Sequence, residues 1–440
     1  MNEAATSAAH PAFRLEFDID VNYGYPSGGW LIGLSSSHHR DAHEGWESMT
    51  EFKLFDFDSH YYEALDAFTR HVDPALGSRG ARFEVVDGRT RFMVGGEINR
   101  YIANPTFDPV ARPGALHSWY RGNPERKSLR EAFGDLEPIR PEYRDRDRRL
   151  EVMDEQGVGA TLLFPTLGVG LEEALKGDPE AAGQVFSGFN LWLEEDWGYR
   201  YQDRIFAVPT VPLLDPEFAH DELAKLLDRG TLVVNIRNAP VPLPGGGFRS
   251  PFDPLYDSFW GLAAESGVVV ATHAGVEGYD VIVNMWEDST ENSIFRSPLR
   301  GVISKGRAVA DFYGAAICQL IFERFPSLRM ASVENGASWA PDLLHRLEDA
   351  ANRSPGYFKT EPTEIFRNHI WVTPFWEDDL ASLSDVVAVD QMLLGSDWPH
   401  AEGVEQPVDF VNDALGWADQ STKRRIGREN AERLLGVQIP

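Results

Sequence analysis

The sequence predicts an α/β fold, a (β/α)8 TIM-type barrel with a long insertion after the first strand and an N-terminal extension. Three observations predict it. Eight short, apolar, β-branched runs recur along the chain, amphipathic stretches lie between them, and no G-x-G-x-x-G follows the first run. The runs are apolar throughout rather than alternating, which is the pattern of parallel strands covered on both faces.

LFDFD (54–58) opens the series, followed by VGATLLFP (158–165), IFAVPTVPL (205–213) and TLVVNIR (231–237). VVVATHAG (268–275), LRMASVEN (328–335), HIWVTPF (369–375) and MLLGSD (392–397) complete it. DPEFAHDELAKLLDRG (215–230) and APDLLHRLEDAANR (340–353) read as helices that lie between strands, with apolar residues at helical spacing. About 100 residues separate the first run from the second, far more than an ordinary connection. A barrel carries such an insertion at its C-terminal mouth, so residues 66–147 are expected to form a cap or lid; a peripheral insertion is the competing expectation. Within it, RDRDRR (144–149) reads as a solvated helix face. Residues 1–48 carry PSGG (26–29) and LSSSHHR (34–40) without a strand–helix rhythm. They are expected to be a weakly structured or peripheral extension, with the barrel over 49–440 and Met49 a candidate start. His38, His39 and His43 read as solvent-exposed there.

Composition sets limits on function. The chain has 69 Asp+Glu against 41 Lys+Arg, a formal net charge of −28 that repels nucleic acid and anionic membranes. A hydrophobic fraction of 42% with 25% charged residues is ordinary for a folded domain. The single cysteine, Cys318, excludes an internal disulfide and a cysteine-based zinc site. No stretch reaches the length of a spanning helix, and the N-terminus lacks the pattern of a secretory signal. The expectation is a cytoplasmic protein that acts on a small molecule.

Barrel enzymes draw catalytic side chains from the C-terminal ends of strands. Ionisable residues there form a short set: Asp56, Asp58 and His60 with Glu63 shortly after, then His273, Glu334, and Asp397 with His400 and Glu402 beyond. Asp58 and His60 are two apart, so in an extended strand both face one side. With His273 and Asp397 they offer nitrogen and oxygen donors without a thiol, a set that suits one divalent ion, Zn, Mn or Fe.

The pieces FDFDSHYYE, ATHAG, SVENGASW and LLGSDWPHAEG, with the terminal RENAERLLG, resemble the amidohydrolase-2 branch of the amidohydrolase superfamily. That branch includes the aminocarboxymuconate-semialdehyde decarboxylase-like enzymes. The resemblance runs from about residue 52 to the C-terminus. It implies a metal-binding barrel with Asp58, His60, His273 and Asp397 as ligands, and dimer formation. Two departures bear on the reaction. A carboxylate, Asp58, stands where a first-strand His is common, as in several decarboxylases. Glu334 stands where those decarboxylases usually carry a His, and a second carboxylate repels an acidic substrate unless it is neutralised.

The first expectation is therefore a metal-dependent hydrolase acting on a small carboxylated aromatic or ring-cleaved compound through a metal-activated water. Asp397, His273 and Glu334 are its catalytic residues. The alternative is a non-oxidative decarboxylase of a hydroxyaromatic or muconate-semialdehyde-like acid; a barrel that binds ligand without turnover is the third. Glu334 turned into the metal pocket favours hydrolysis, whereas Arg237 facing the metal favours decarboxylation. Arg237, Trp339 and Trp398 are candidate substrate contacts, His400 a candidate orienter of Asp397, and Trp286, Trp371, Trp376 and FPTLG (164–168) further candidates for the mouth.

Overall fold

The structure is a computed structural model that describes residues 51–287 and 297–440. The 1–48 extension, Met49 and the histidines at 38, 39 and 43 lie outside the described residues.

The apolar runs form the staves of a barrel. β1 (Leu54–His60) and β2 (Val158–Phe164) are buried at every position. β3 (Ile205–Ala207), β4 (Val233–Arg237), β5 (Val269–His273), β6 (Arg329–Val333) and β7 (Ile370–Val372) follow. Parallel pairing runs β1–β2–β3 on one side and β4–β5–β6–β7 on the other. Parallel bridges join the two halves, Thr210 to Asn235 at one seam and Val372 to Met392 at the other. The eighth stave, residues 392–398, is irregular. It meets β1 through Phe57 N donating to Leu394 O (2.7 Å), Asp397 N to Asp58 O (2.8 Å) and His60 N to Trp398 O (2.7 Å). The ring is closed by these single bridges rather than by continuous ladders.

Strand parity sorts the side chains into two cores. Phe55, Phe57, Ala160, Leu162, Phe164, Phe206, Val233, Val269, Ala271, Ala331, Val333 and Leu393 fill one cluster inside the ring. Ala431, Leu434, Leu435 and Ile439 of the C-terminal segment join it. Leu54, Val158, Leu163, Val234, Ile236, Val270 and Met330 belong to the other cluster, shared with the surrounding helices. That outer layer includes α1 (Pro216–Asp228), which starts at the Asp215 cap and buries Ala219, Leu223 and Leu226. It also includes α2 (Ala340–Arg353), which buries Leu343, Leu344 and Leu347.

A bulge in β1 positions the functional end. Asp56 pairs with Thr161 and Ser59 with Leu163, so three steps on β1 oppose two on β2. Phe55 and Phe57 face the interior below the bulge; the extra residue resets the alternation so that His60 pairs with inward Phe164. Asp58 and His60 thus point to the inside of the mouth although Phe57 does too.

Residues 66–147 form an antiparallel sheet (Ala81–Val86, Arg89–Val94, Glu97–Ile98) and two short helices, His117–Tyr120 and Leu129–Phe133, the second with a Ser128–Glu131 capping box. The excursion meets the loop after the eighth stave, where Gly114 N donates to His400 O (3.2 Å) and Leu116 N to Ala401 O (2.8 Å). RDRDRR keeps its expected solvated face at Asp145, Asp147 and Arg148 but not at Arg144 and Arg149. Arg149 is 1% exposed, and Arg144 is part-buried, donating to Tyr62 O and Thr106 O. Arg149 precedes Leu150 and Met153, both buried, so it falls on the inward stripe of its helix, Arg146–Glu155. No helix among the described residues is long and apolar enough to cross a membrane.

Candidate metal centre

Six side chains converge at the mouth, five from the ends of four staves and His400 from the loop beyond the eighth. His60 Nε2 lies 3.5 Å from Asp58 Oδ1, 3.4 Å from Glu334 Oε2 and 3.3 Å from Asp397 Oδ1. His273 Nε2 lies 3.4 Å from Asp58 Oδ1 and 2.9 Å from Glu334 Oε2. Two overlapping groups result, Asp58–His60–His273–Glu334 and His60–Glu334–Asp397–His400, each with its donor atoms within 4.8 Å of one another.

Local backbone geometry aims the acids. Glu334 follows β6 at φ 54° and Asp397 ends the eighth stave at φ 55°, left-handed conformations that non-glycine residues seldom adopt. Gly395 leaves room for Asp58: a Cβ on it would stand 2.7 Å from the Asp58 Cβ. Asp56 accepts from Ser396 N (2.9 Å) and Ser396 Oγ (2.5 Å), binding the eighth stave to β1. Burial pushes the Asp56 carboxyl up to about 7 against those hydrogen bonds.

The His273 imidazole is set for coordination through Nε2. His273 Nδ1–H donates to Ala274 O at 2.7 Å, which leaves Nε2 as the free lone pair. Asp58 Oδ1 and His60 Nε2 are buried without a hydrogen-bond partner, and His273 Nε2 meets only carboxylate oxygens, those of Glu334 and Asp58, among the described residues. Unpartnered buried polar atoms are costly, and here they converge on one point with carboxylate and imidazole chemistry. The residues present therefore fit one divalent ion.

Electrostatics separate the groups. Burial opposes charge on His273, but Glu334 and Asp58 overcome it and raise the ring to about 10. Burial likewise opposes charge on Glu334, yet His273 and His60 hold its carboxyl well below the usual range. Asp397 is pushed well above the usual range by burial and by Glu334, Glu402 and Asp58. His400 is held well below an ordinary histidine by burial and by His60.

A relay backs Asp397. Its Oδ1 lies 2.7 Å from His400 Nδ1, and His400 Nε2 lies 3.0 Å from Thr166 Oγ1, which itself donates to Tyr61 O (2.8 Å). With the Thr166 hydrogen committed to Tyr61, the His400 Nε2–H donates to Thr166, and Nδ1 faces Asp397 as an acceptor. Glu63 fixes the loop that carries Thr166. It is fully buried, and one oxygen accepts from the backbone N–H groups of Thr166 (3.0 Å), Leu167 (2.8 Å) and Gly168 (3.0 Å).

The remaining candidates stand apart from the cluster. Arg237 is committed to Glu173 (2.5 Å) and Val276 O (2.9 Å), so a bidentate grip on a substrate carboxylate would require breaking the Glu173 pair; only Nη1 lacks a partner. It borders a small cavity, about 20 Å³, lined also by Thr210, Asn235, Asn238 and His273. Trp339 stacks on Tyr313 and donates to Gly336 O, and Trp398 packs on Arg149 and Tyr143. Trp286 is 74% exposed. Sequence reasoning gave no role to Asp56 or Glu63, and it passed over Arg149, whose spacing from Met153 was the available signal.

Residues 92–437 match the family model described as Amidohydrolase (Amidohydro_2). An amidohydrolase from Mycobacterium avium subsp. paratuberculosis K-10 is 41% identical with a TM-score of 0.83, covering 88% of this chain and 99% of its own. The fold is also shared with a 2,6-dihydroxybenzoate decarboxylase from Rhizobium (20% identity, TM-score 0.54, covering 75% of this chain and 97% of its own). A dihydroxybenzoic acid decarboxylase from Polaromonas sp. JS666, solved with manganese and the inhibitor 2-nitroresorcinol, is 18% identical at TM-score 0.54, covering 75% of this chain and 97% of its own.

Proposed function

The chain belongs to the amidohydrolase family, and we propose that within it the protein is a divalent-metal-dependent decarboxylase of a small hydroxylated aromatic acid. The observation that carries this reading is the Asp397–His400 pair set against the Asp58–His60–His273 donors, an arrangement that supports a proton donor beside a metal site. The decarboxylases that share the fold, one of them holding manganese, support it.

Asp58, His60, His273 and Asp397 would hold the ion, with Glu334 as a further donor. A divalent ion there would polarise the substrate's carboxylate and an adjacent hydroxyl. The reaction needs one proton at the ring carbon as the bond to the carboxyl breaks and CO2 leaves. Asp397 supplies it; His400, fixed in its tautomer by Thr166, accepts from the Asp397 carboxyl through Nδ1 and orients it, and the replacement proton reaches Asp397 from solvent. The objection that Glu334 repels an acidic substrate is met by its neighbours, because His273 at 2.9 Å and His60 at 3.4 Å offset its charge. Residues 66–147, bonded to the 400–401 loop, serve as the cap that keeps water from the mouth.

Hydrolysis is the second reading, and one observation favours it: Glu334 points into the cluster, where a base for a water nucleophile would stand, and Arg237 is tied to Glu173. Incubating manganese-loaded protein with hydroxybenzoates, and separately with amides and lactones, decides between them. CO2 release supports decarboxylation, and hydrolysis products without CO2 overturn it.

A further inference from the structure

Arg149 lies behind the metal centre and touches none of its donor atoms. It is 1% exposed, and among the described residues it pairs with no carboxylate. Its fork is spent on neutral acceptors: Nη1 donates to Ser59 Oγ (3.1 Å), Nη2 to His60 O (2.6 Å) and Nε to Glu142 O (3.0 Å). Ser59 Oγ donates onward to Trp398 O (2.8 Å), and the Trp398 ring lies 4.3 Å from the guanidinium. Burying an unpaired cation is costly unless it is compensated. Here a single guanidinium grips the backbone of one predicted ligand, His60, and the neighbour of another, Asp397.

We infer that Arg149 is a positioning residue for the metal, holding β1 and the eighth stave in the register that brings Asp58 and His60 against Asp397. The role rests on the metal reading above and on no particular reaction. A lysine keeps the charge but gathers its donors on one nitrogen, so it cannot reproduce the planar fork that reaches Ser59, His60 and Glu142 from three separate nitrogens. Ser59 provides an independent handle, since its hydroxyl is the relay between Arg149 and Trp398 and binds no metal itself.

The test uses manganese alone. Binding to the metal-free full chain is followed by electron paramagnetic resonance for wild type, Arg149→Lys and Ser59→Ala, with circular dichroism to confirm folding. The expected result is a loss of affinity of about 10- to 100-fold for Arg149→Lys, the range seen when supports of metal ligands are removed, with an altered line shape. Ser59→Ala shows a smaller loss in the same direction, and decides the matter should Arg149→Lys not fold. Wild-type affinity and line shape in either folded variant overturns the role. Failure of the wild-type chain to bind manganese is a different result, which overturns the metal reading itself and this role with it.

Discussion

Glu334 Oε2 stands 2.9 Å from His273 Nε2, so the half-buried acid after β6 and the buried imidazole ending β5 form a pair at the point where a metal would bind. In the absence of metal the proton on His273 serves as the counter-charge for Glu334. Metal and proton then compete for the same nitrogen.

The first prediction follows from that competition. With His273 raised to about 10, manganese must displace a proton from it below that pH, so affinity rises by about tenfold per pH unit between pH 7 and 9. Titrations at three pH values check the slope; a flat profile contradicts the pairing.

The metal-free fold responds in the opposite sense. His273 is raised in the folded chain, so its contribution is complete below the ordinary value of 6.5 and is lost as pH climbs through about 10. Glu334 is depressed, so its share is present above 4.5 and is lost as pH falls through its lower folded value. Metal-free protein therefore melts at a higher temperature at pH 6 than at pH 9, and added manganese raises Tm more at pH 9. Thermal scans with and without the ion measure both.

Asp397→Asn removes the proton donor while keeping the side-chain shape. Turnover should drop by about 10²- to 10⁴-fold, as for loss of a general acid. His400→Gln leaves Asp397 in place and should cost less. Single-turnover CO2 release by the two variants checks the order.

Gly395→Ala tests how tightly Asp58 is seated. The new methyl would stand 2.7 Å from the Asp58 Cβ and 3.2 Å from the Thr373 Cβ, so one of them must move. Overpacking of this kind costs about 1 to 3 kcal/mol, and manganese affinity should fall with it. Urea denaturation together with metal titration reads both effects.

Glu63→Leu leaves three backbone N–H groups of the 166–168 loop without their acceptor. Unpaired buried donors of this sort make a loss on the order of 3 kcal/mol the expected result, measured by denaturant unfolding. Thr166 then no longer fixes His400, so activity falls even in protein that remains folded.

The barrel was legible because strands covered on both faces carry uninterrupted apolar runs, and four of those runs end at or beside a residue of the metal cluster. Asp58 and His60 were readable as a pair from their spacing alone. The bulge that brings them inside was not, because Phe55 and Phe57 occupy the same parity below it and only pairing with β2 shows the extra residue. Arg149 was hidden by its own neighbourhood, since RDRDRR has the charge density of a solvent face. Its burial comes from packing against Trp398 and from acceptors on β1 that are distant in sequence. The direction of Glu334 was equally beyond local pattern, because it depends on a left-handed backbone at a strand end.

The most direct test of the proposed reaction is CO2 release by the manganese-loaded chain from a panel of hydroxylated benzoates, run beside Asp397→Asn and beside amide and lactone substrates. Decarboxylation predicts CO2 and the proton-bearing arene in equal amounts from at least one acid, with the variant nearly silent. Hydrolysis of an amide or lactone with no CO2 from any acid would contradict it and would give Glu334 the role of base.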